Sequence, residues 1–217
     1  MNIFRRILIK IGKINILNKL FEIDVLKKRQ IKKGPLKGLF FYGKYYDNRY
    51  FSDFFEDKIV KLIQKIIKEG NVYDIGAHFG FYSLIFAKLI KKGKVYCFEP
   101  NPYCLERLKN TIALNNLGAE VQIYDFGIGS ENTDKEIMII PDNLARSTID
   151  EERKEYYDKE KKYKFEKKTV PLKSLDALNF PPPALVKIDV EGFELDVIKG
   201  MKGVLHNLSP DLIGEIH

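Results

Sequence analysis

Short apolar segments alternate with segments of helical periodicity through most of the chain, and this alternation is the strongest constraint on its fold. Each apolar segment has the length of a strand that is covered on both faces of a sheet. Candidate strands lie at 72–75, 95–98, 121–126, 185–190 and 212–216. Helices predicted at 79–90, 102–115 and 191–199 fill the crossovers as right-handed βαβ units. We therefore expect an α/β fold, a doubly wound, Rossmann-like and mostly parallel sheet with N-terminal helices.

The predicted organisation is an N-terminal helical region, residues 1–69, packed on a domain formed by residues 70–217. In the first region Ser52 can cap an amphipathic helix that ends before Gly70. No linker or internal repeat marks a further domain.

An insertion at about residues 132–168 interrupts the strand and helix pattern. Two short strands, 137–140 and 169–172, enclose a charged segment. A solvated helix and a mobile lid over the site are both open interpretations of that segment.

The N-terminal stretch, residues 1–28, places apolar residues near helical spacing among basic ones. Lys10, Lys13 and Lys19 interrupt every apolar run, which is not typical of a signal peptide or a membrane span. We expect a cytoplasmic protein in which this stretch packs on its own domain. The alternative is a peripheral contact with an anionic membrane surface or a partner.

Composition excludes several classes of protein. Hydrophobic residues make up 45% of the chain, which excludes wholesale disorder. Cys97 and Cys104 are too few for a disulfide framework and lack the spacing of a zinc site. The net charge of +7 comes mainly from lysines, which favours a solvated surface over a specific nucleic-acid groove.

A glycine-bounded turn from Asp74 to Gly80 follows the first strand of the domain and opens a helix. Gly76 and Gly80 allow a ligand to approach the backbone, and the helix N–H groups can bind an anionic group. The carboxylate of Asp74 would repel a pyrophosphate, and G-x-x-x-G is not the dinucleotide fingerprint. A ligand with both an amino group and a carboxylate fits better, as in the methionine part of S-adenosylmethionine. A tight turn without a ligand is the alternative.

Two further strand ends carry candidate ligand contacts. Glu99 follows the second strand, where an acidic side chain can accept hydrogen bonds from both hydroxyls of a ribose. A surface glutamate is the alternative interpretation. After the third strand, Asp125 offers an acceptor for an adenine amino group and Phe126 a ring that could stack on it.

Together these motifs resemble the FkbM-type S-adenosylmethionine-dependent methyltransferases. The matching segments are 74–77, 80–83, 98–102, Asn110 with Asn115, 174–176, 187–192 with Glu194, and 215–217. The resemblance implies a class I methyltransferase that methylates hydroxyl oxygens of sugars, glycolipids or natural products, with S-adenosylmethionine as donor. The expected cofactor-binding residues are Asp74, Gly76, Ala77, His78, Gly80, Glu99, Asn101, Asp125 and Phe126.

Two features depart from this family's pattern. His78 stands where the family usually carries Asn, which puts its contact with the cofactor in doubt. The sequence also stops after the fifth candidate strand, whereas a class I methyltransferase sheet normally continues with an antiparallel hairpin: either the tail is missing or the sheet is abbreviated.

The candidate catalytic residues are Asp189, Glu215 and His217, at the ends of the last two strands. Adjacent strands lie about 4.8 Å apart, so these ends can converge on one acceptor hydroxyl. His217 could remove the hydroxyl proton, with Asp189 or Glu215 orienting it. Alternatively the three residues could hold Mg²⁺, which lowers the pKa of a bound hydroxyl. We favour the metal-free version, with no metal site.

The leading functional hypothesis is an O-methyltransferase acting on a glycan or a related small hydroxylated acceptor. The first alternative is a non-catalytic S-adenosylmethionine-binding module that the basic N-terminal stretch recruits to a membrane or complex. An RNA methyltransferase is the least favoured, because no basic motif with interleaved aromatic residues is present. The sequence makes no prediction of the oligomeric state.

Overall fold

The computed structural model describes residues 26–43, 57–67, 69–141, 143–160 and 163–215. The chain divides into two compact units, residues 1–57 and 58–217. Residues 1–25 of the predicted helix at 1–28, and the candidate base His217, lie outside the described residues. The end of that prediction is wrong, because residues 27 and 28 begin a strand.

The described part of the first unit is an antiparallel hairpin of strands β1 (Lys27–Gln30) and β2 (Phe40–Gly43). Their register runs from Lys27 opposite Gly43 to Gln30 opposite Phe40. This hairpin was not predicted, since only helices were expected before residue 70: the charged residues of β1 hide the strand pattern.

The second unit starts at the second residue of helix α1 (Asp57–Ile66). The elements that follow are, in chain order, β3 (Asn71–Ile75), α2 (Phe81–Leu89), β4 (Val95–Phe98), α3 (Pro102–Leu114), β5 (Val121–Tyr124), β6 (Gly127–Ile128), β7 (Thr133–Ile139), α4 (Glu151–Glu160), β8 (Glu166–Lys173), β9 (Pro183–Ile188), α5 (Glu194–Lys199), α6 (Lys202–Leu208) and β10 (Asp211–Gly214). Five of these strands form one sheet in the order β10-β9-β3-β4-β5, and all neighbouring pairs are parallel. This sheet confirms the predicted α/β fold.

The division between the units falls earlier than the predicted boundary at residue 69, at the start of α1. This helix ends on the sheet domain: Ile66 lines a cavity of about 200 Å³ together with Val72 of β3 and Leu185 of β9. The amphipathic helix predicted from Ser52 is therefore part of the second unit over its described length.

An aromatic cluster forms much of the core beside the sheet. Phe98 of β4, which is fully buried, lies within 5.7 Å of four other rings, measured between ring centroids. These rings belong to Tyr73, Tyr124, Phe126 and Phe180. The hydroxyl of Tyr73 donates to the carbonyl oxygen of Pro181 at 2.7 Å, so the polar end of this buried ring is satisfied.

The predicted insertion contains a second sheet, in the order β6-β8-β7. Strand β7 is antiparallel to β8, and β6 is parallel to it. The sheet buries its own apolar cluster of Ile137, Ile139, Ile149, Val170 and Leu172. Helix α4 buries only Lys154 and Tyr157, so the structure agrees with the solvated-helix interpretation of the charged segment.

No helix in the described ranges is both long and apolar enough to cross a lipid bilayer.

We predict that Phe98→Ala lowers the free energy of unfolding by about 3 to 5 kcal/mol, because it removes a large buried ring from the aromatic cluster. Chemical denaturation followed by circular dichroism measures the change. The control is Leu195→Ala, at a side chain that is 68% exposed, which should change stability by less than about 0.5 kcal/mol. Equal losses in the two variants would contradict this assignment of the core.

Candidate active site

The glycine-bounded turn joins the carboxyl ends of three strands. Gly76 follows β3 with φ of 75°, in the left-handed region that favours glycine. The N–H groups of Gly76 and Ala77 donate to the carbonyl of Phe98, at the end of β4, at 3.0 and 3.2 Å. A Cβ atom on Gly76 would lie 2.0 Å from the carbonyl oxygen of Asp189, just after β9. Only glycine therefore allows these strand ends to approach so closely.

Glu99, just after β4, is buried and accepts two backbone hydrogen bonds. Its Oε2 accepts the N–H of His78 at 2.7 Å, and its Oε1 accepts the N–H of Asn101 at 2.8 Å. Burial raises the pKa of Glu99 to about 7, although the two N–H groups oppose this shift. A carboxylate offers about four acceptor positions, so about two remain for hydroxyl donors.

Asn101 begins helix α3 and places an amide beside Glu99. Its Oδ1 caps the helix by accepting the N–H of Tyr103 at 3.1 Å. Its Nδ2 is buried and has no hydrogen-bond partner within the described part of the chain. A buried donor without a partner costs about 1 to 3 kcal/mol, which a ligand with an acceptor atom would offset.

Asp74 lies inside the protein, at the end of β3. Its side chain has no exposed surface. The hydroxyl of Ser83 donates to its Oδ2 at 2.6 Å, and the Nζ atom of Lys187 lies 3.4 Å from its Oδ1. Burial and these two partners favour a structural role for Asp74 over the predicted contact with a ligand amino group, although its Oδ1 accepts no hydrogen bond within the described part of the chain.

Lys187, on β9, lies at the centre of this cluster. Besides Asp74, its Nζ atom lies 3.6 Å from Oδ2 of Asp189 and donates to the carbonyl of Gly76 at 3.1 Å. Burial would lower the pKa of Lys187, but the charges of Asp74 and Asp189 outweigh burial and raise it.

Lys187 was not predicted as a site residue. Its position inside an apolar strand could have indicated one, since lysine is rarely buried unless it is paired with a charge.

Asp189 and Glu215 lie on adjacent strands at the same edge of the sheet. Ile188 pairs with Gly214, and the N–H of Glu215 donates to the carbonyl of Ile188 at 3.2 Å. The side chain of Asp189 is 32% exposed and that of Glu215 is exposed. Among the described residues, no three His, Cys, Asp or Glu side chains come together as a metal site would require. Because His217 lies outside them, both catalytic versions stay predictions.

The predicted cofactor-binding residues also include His78, Gly80 and Asp125. His78 contacts Glu99 through its backbone N–H, while its ring lies 3.5 Å from the ring of Phe79, measured between centroids. Gly80, with φ of 90°, caps α2, as the turn predicted. Asp125 is exposed and can meet a ligand.

Phe126 requires a correction. Its ring is buried in the core against Phe98 and Tyr124, with Nζ of Lys173 4.4 Å from its centroid. Because these contacts enclose the ring, it is not available to stack on an adenine.

This arrangement can hold a ligand with a vicinal diol. Glu99 can accept from two hydroxyls, and Nδ2 of Asn101 can donate to a neighbouring acceptor atom. Helix α2 starts after Gly80 with no side-chain hydrogen bond at its cap, and a helix N-terminus can bind an anionic group. Asp189 supplies a partly exposed carboxylate at the same sheet edge.

This chain is similar to known methyltransferases. It is similar to methyltransferase sdnD of Sordaria araneosa, with 30% identity over 154 residues that cover 60% of each chain. It is also similar to the hexuronic acid methyltransferase AglP of Haloferax volcanii, with 28% identity over 167 residues that cover 75% of this chain and 62% of that protein. The chain thus spans about 60% of the length of these relatives.

Among solved structures, a methyltransferase FkbM from Methylobacillus flagellatus matches with 18% identity and a TM-score of 0.44. The match covers 65% of this chain and 31% of that one.

The model of one protein family, described as the methyltransferase FkbM domain, matches residues 74–217. This range starts at Asp74 and includes Glu99, Lys187 and Asp189, and it covers well over half of the chain. The resemblance inferred from the sequence motifs is confirmed. The chain belongs to the methyltransferase FkbM domain family.

Proposed function

We propose that this protein is an S-adenosylmethionine-dependent O-methyltransferase that methylates a hydroxyl of a sugar, glycolipid or related small acceptor. The observation that carries the proposal is the buried Glu99 carboxylate, which keeps acceptor positions beside the unpartnered amide of Asn101. A ribose diol matches this pair of groups.

The donor would be held by residues from three strand ends. Glu99 would accept the two ribose hydroxyls, and Asp125 would accept from the adenine amino group. The backbone from Gly76 to Gly80 and the start of α2 would receive the amino acid end, whose carboxylate suits a helix N-terminus. When bound, the donor supplies a methyl group on a positively charged sulfur.

Asp74 and Lys187 have a supporting role in this proposal. Lys187 joins Asp74 to Asp189 through one buried ammonium group, so it holds the glycine-bounded turn and the end of β9 in one arrangement. The ligand amino group would then meet backbone carbonyls of the turn rather than the carboxylate of Asp74.

Asp189 is the described residue best placed to act on the acceptor. A neutral hydroxyl is a poor nucleophile, so its proton must be removed as the new carbon–oxygen bond forms. Asp189 would accept that proton, or would orient His217 as the base. In the metal version, Asp189, Glu215 and His217 would instead hold Mg²⁺ against the hydroxyl.

A sugar acceptor is supported by a relative named as a hexuronic acid methyltransferase. We place the reaction in the cytoplasm, with residues 1–28 available for a peripheral membrane contact if the acceptor is a glycolipid. A non-catalytic donor-binding module is the second candidate, because the donor site is built from groups that do not include Asp189.

We predict that Glu99→Ala weakens the binding of S-adenosylhomocysteine about ten- to hundredfold, because it removes a charged acceptor from the ribose hydroxyls. Isothermal titration calorimetry measures the dissociation constant. The control is Glu106→Ala, at an exposed glutamate of α3, which should leave affinity unchanged. Unchanged affinity in Glu99→Ala would refute the ribose assignment.

We also predict that adenosine binds about tenfold more tightly at about pH 8 than at about pH 6. The pKa of Glu99 is about 7, so the ionised form that best accepts ribose hydroxyls increases through this range. Adenosine has no group of its own that titrates near neutral pH. In Glu99→Gln the affinity for adenosine should no longer depend on pH. A pH dependence that persists in this variant would show that the titrating group is not Glu99.

For catalysis we predict that Asp189→Asn and His217→Ala each slow methyl transfer about 10²- to 10⁴-fold, and that His217→Ala leaves donor affinity unchanged. Transfer of labelled methyl groups to a glucuronic acid glycoside and to a glycolipid pool measures turnover.

A chelator should have no effect on this transfer. Inhibition by chelator that Mg²⁺ reverses would establish the metal version, with Asp189, Glu215 and His217 as ligands. Donor binding without methylation of any acceptor would favour the binding module.

A further inference from the structure

The acidic loop, residues 189–194, follows β9 and contains an unusual backbone conformation. Glu191 has φ of 54° and Gly192 has φ of 102°, both in the left-handed region. A non-glycine residue seldom adopts this region unless its surroundings hold it there. Asp189 lies two residues earlier in the same loop, where its carboxylate is 3.6 Å from Nζ of Lys187.

Thr148, from the insertion, contacts this loop through its hydroxyl. The side chain is buried and donates from Oγ1 to the carbonyl oxygen of Glu191 at 2.8 Å. The same Oγ1 accepts the N–H of Asp150 at 3.0 Å. Two backbone hydrogen bonds with Met138 of β7, at 2.9 and 3.0 Å, fix Thr148 on the insertion sheet. Thr148 therefore connects the insertion sheet to the backbone carbonyl of Glu191.

Arg153, on helix α4, provides a second contact. Its guanidinium group forms an ion pair with the carboxylate of Glu191. Its Cδ atom packs on Gly192, where an added Cβ would approach to 2.7 Å. The N–H of Arg153 donates to Oδ1 of Asp150 at 2.9 Å, which anchors the start of the helix near Thr148.

Residues of the sheet domain also form hydrogen bonds with the acidic loop. Oε1 of Glu194, on α5, accepts the N–H of Gly192 at 3.0 Å. The N–H of Asp189 donates to the carbonyl of Ile75 at 3.2 Å. The conformation of the loop thus depends on both the sheet domain and the insertion.

We propose that Thr148 and Arg153 are positioning residues that hold the left-handed conformation at Glu191 and so keep Asp189 directed at the acceptor. The catalytic part of this inference rests on the proposed function, because it takes Asp189 as the group that acts on the hydroxyl. The insertion then supports the acidic loop. Point variants test this better than deleting residues 132–168, since the insertion sheet pairs with β6 and buries an apolar cluster.

The first test measures amide hydrogen exchange in peptides that cover the acidic loop and needs no acceptor. Thr148→Val keeps the shape of the side chain and removes the hydroxyl donor. It should speed exchange in the loop about tenfold, and Thr148→Ser should restore most of the protection. Arg153→Met should speed exchange in the same peptides. The control is Thr133→Val, in the same insertion, where exchange in the acidic loop should not change.

The second test measures kinetics with a glucuronic acid glycoside as acceptor. Thr148→Val should lower kcat about tenfold with little change in the affinity for S-adenosylhomocysteine, and Thr148→Ser should recover most of kcat. A purely structural role would instead reduce melting temperature and active fraction, with kcat per active site preserved.

Unchanged exchange in both Thr148→Val and Arg153→Met would overturn the positioning role, whatever the activity. If Thr148→Val does not fold, the same exchange and kcat measurements on Arg153→Met test the proposal. Faster exchange with an unchanged kcat would refute the link to catalysis. If the wild type methylates no acceptor, the proposed function fails, while faster exchange still supports the structural contact.

Discussion

A buried ammonium group holds the candidate site together. Lys187 is placed between Asp74 and Asp189, with Nζ at 3.4 and 3.6 Å from their carboxylates, and it donates to the turn at Gly76. Burying a charge is costly unless it is paired, so each member of this cluster depends on the others. Removing Lys187 would leave Asp74 buried without its counter-charge and would remove one contact between the end of β9 and the glycine-bounded turn. The glycine-bounded turn and the start of the acidic loop are thus parts of one electrostatic unit.

Two other connections complete the site. Backbone N–H groups of His78 and Asn101 hold Glu99 in place, so the carboxylate is oriented before any ligand arrives. Thr148 and Arg153 join the insertion to the acidic loop. In the proposed function, the groups that meet the donor and the acceptor would therefore be held by the sheet and the insertion, which is the arrangement that precise positioning in catalysis requires.

Much of the sheet could be predicted from local sequence. The five apolar segments predicted as strands overlap the five strands of the parallel sheet, because a short apolar run is a local feature that neighbouring residues suffice to reveal. Elements without such a run were not predicted: β1 consists of charged and polar residues, and the two-residue strand β6 has no pattern of its own. Glu99 was named as a candidate because its position after a strand can be read from the sequence, whereas the contacts of Asp74 with Lys187 and of Phe126 with Lys173 join residues far apart in the chain.

The sequence by itself determined the α/β fold, the glycine-bounded turn and the family, because periodicity and motif spacing are local properties. Tertiary structure decided which charges meet. That Lys187 neutralises Asp74, more than a hundred positions away, follows from the pairing of β3 with β9. That Thr148 supports Glu191 follows from the folding of the insertion back onto the acidic loop. Such contacts join residues distant in the chain, and their energies depend on burial and distance, which only the folded structure defines.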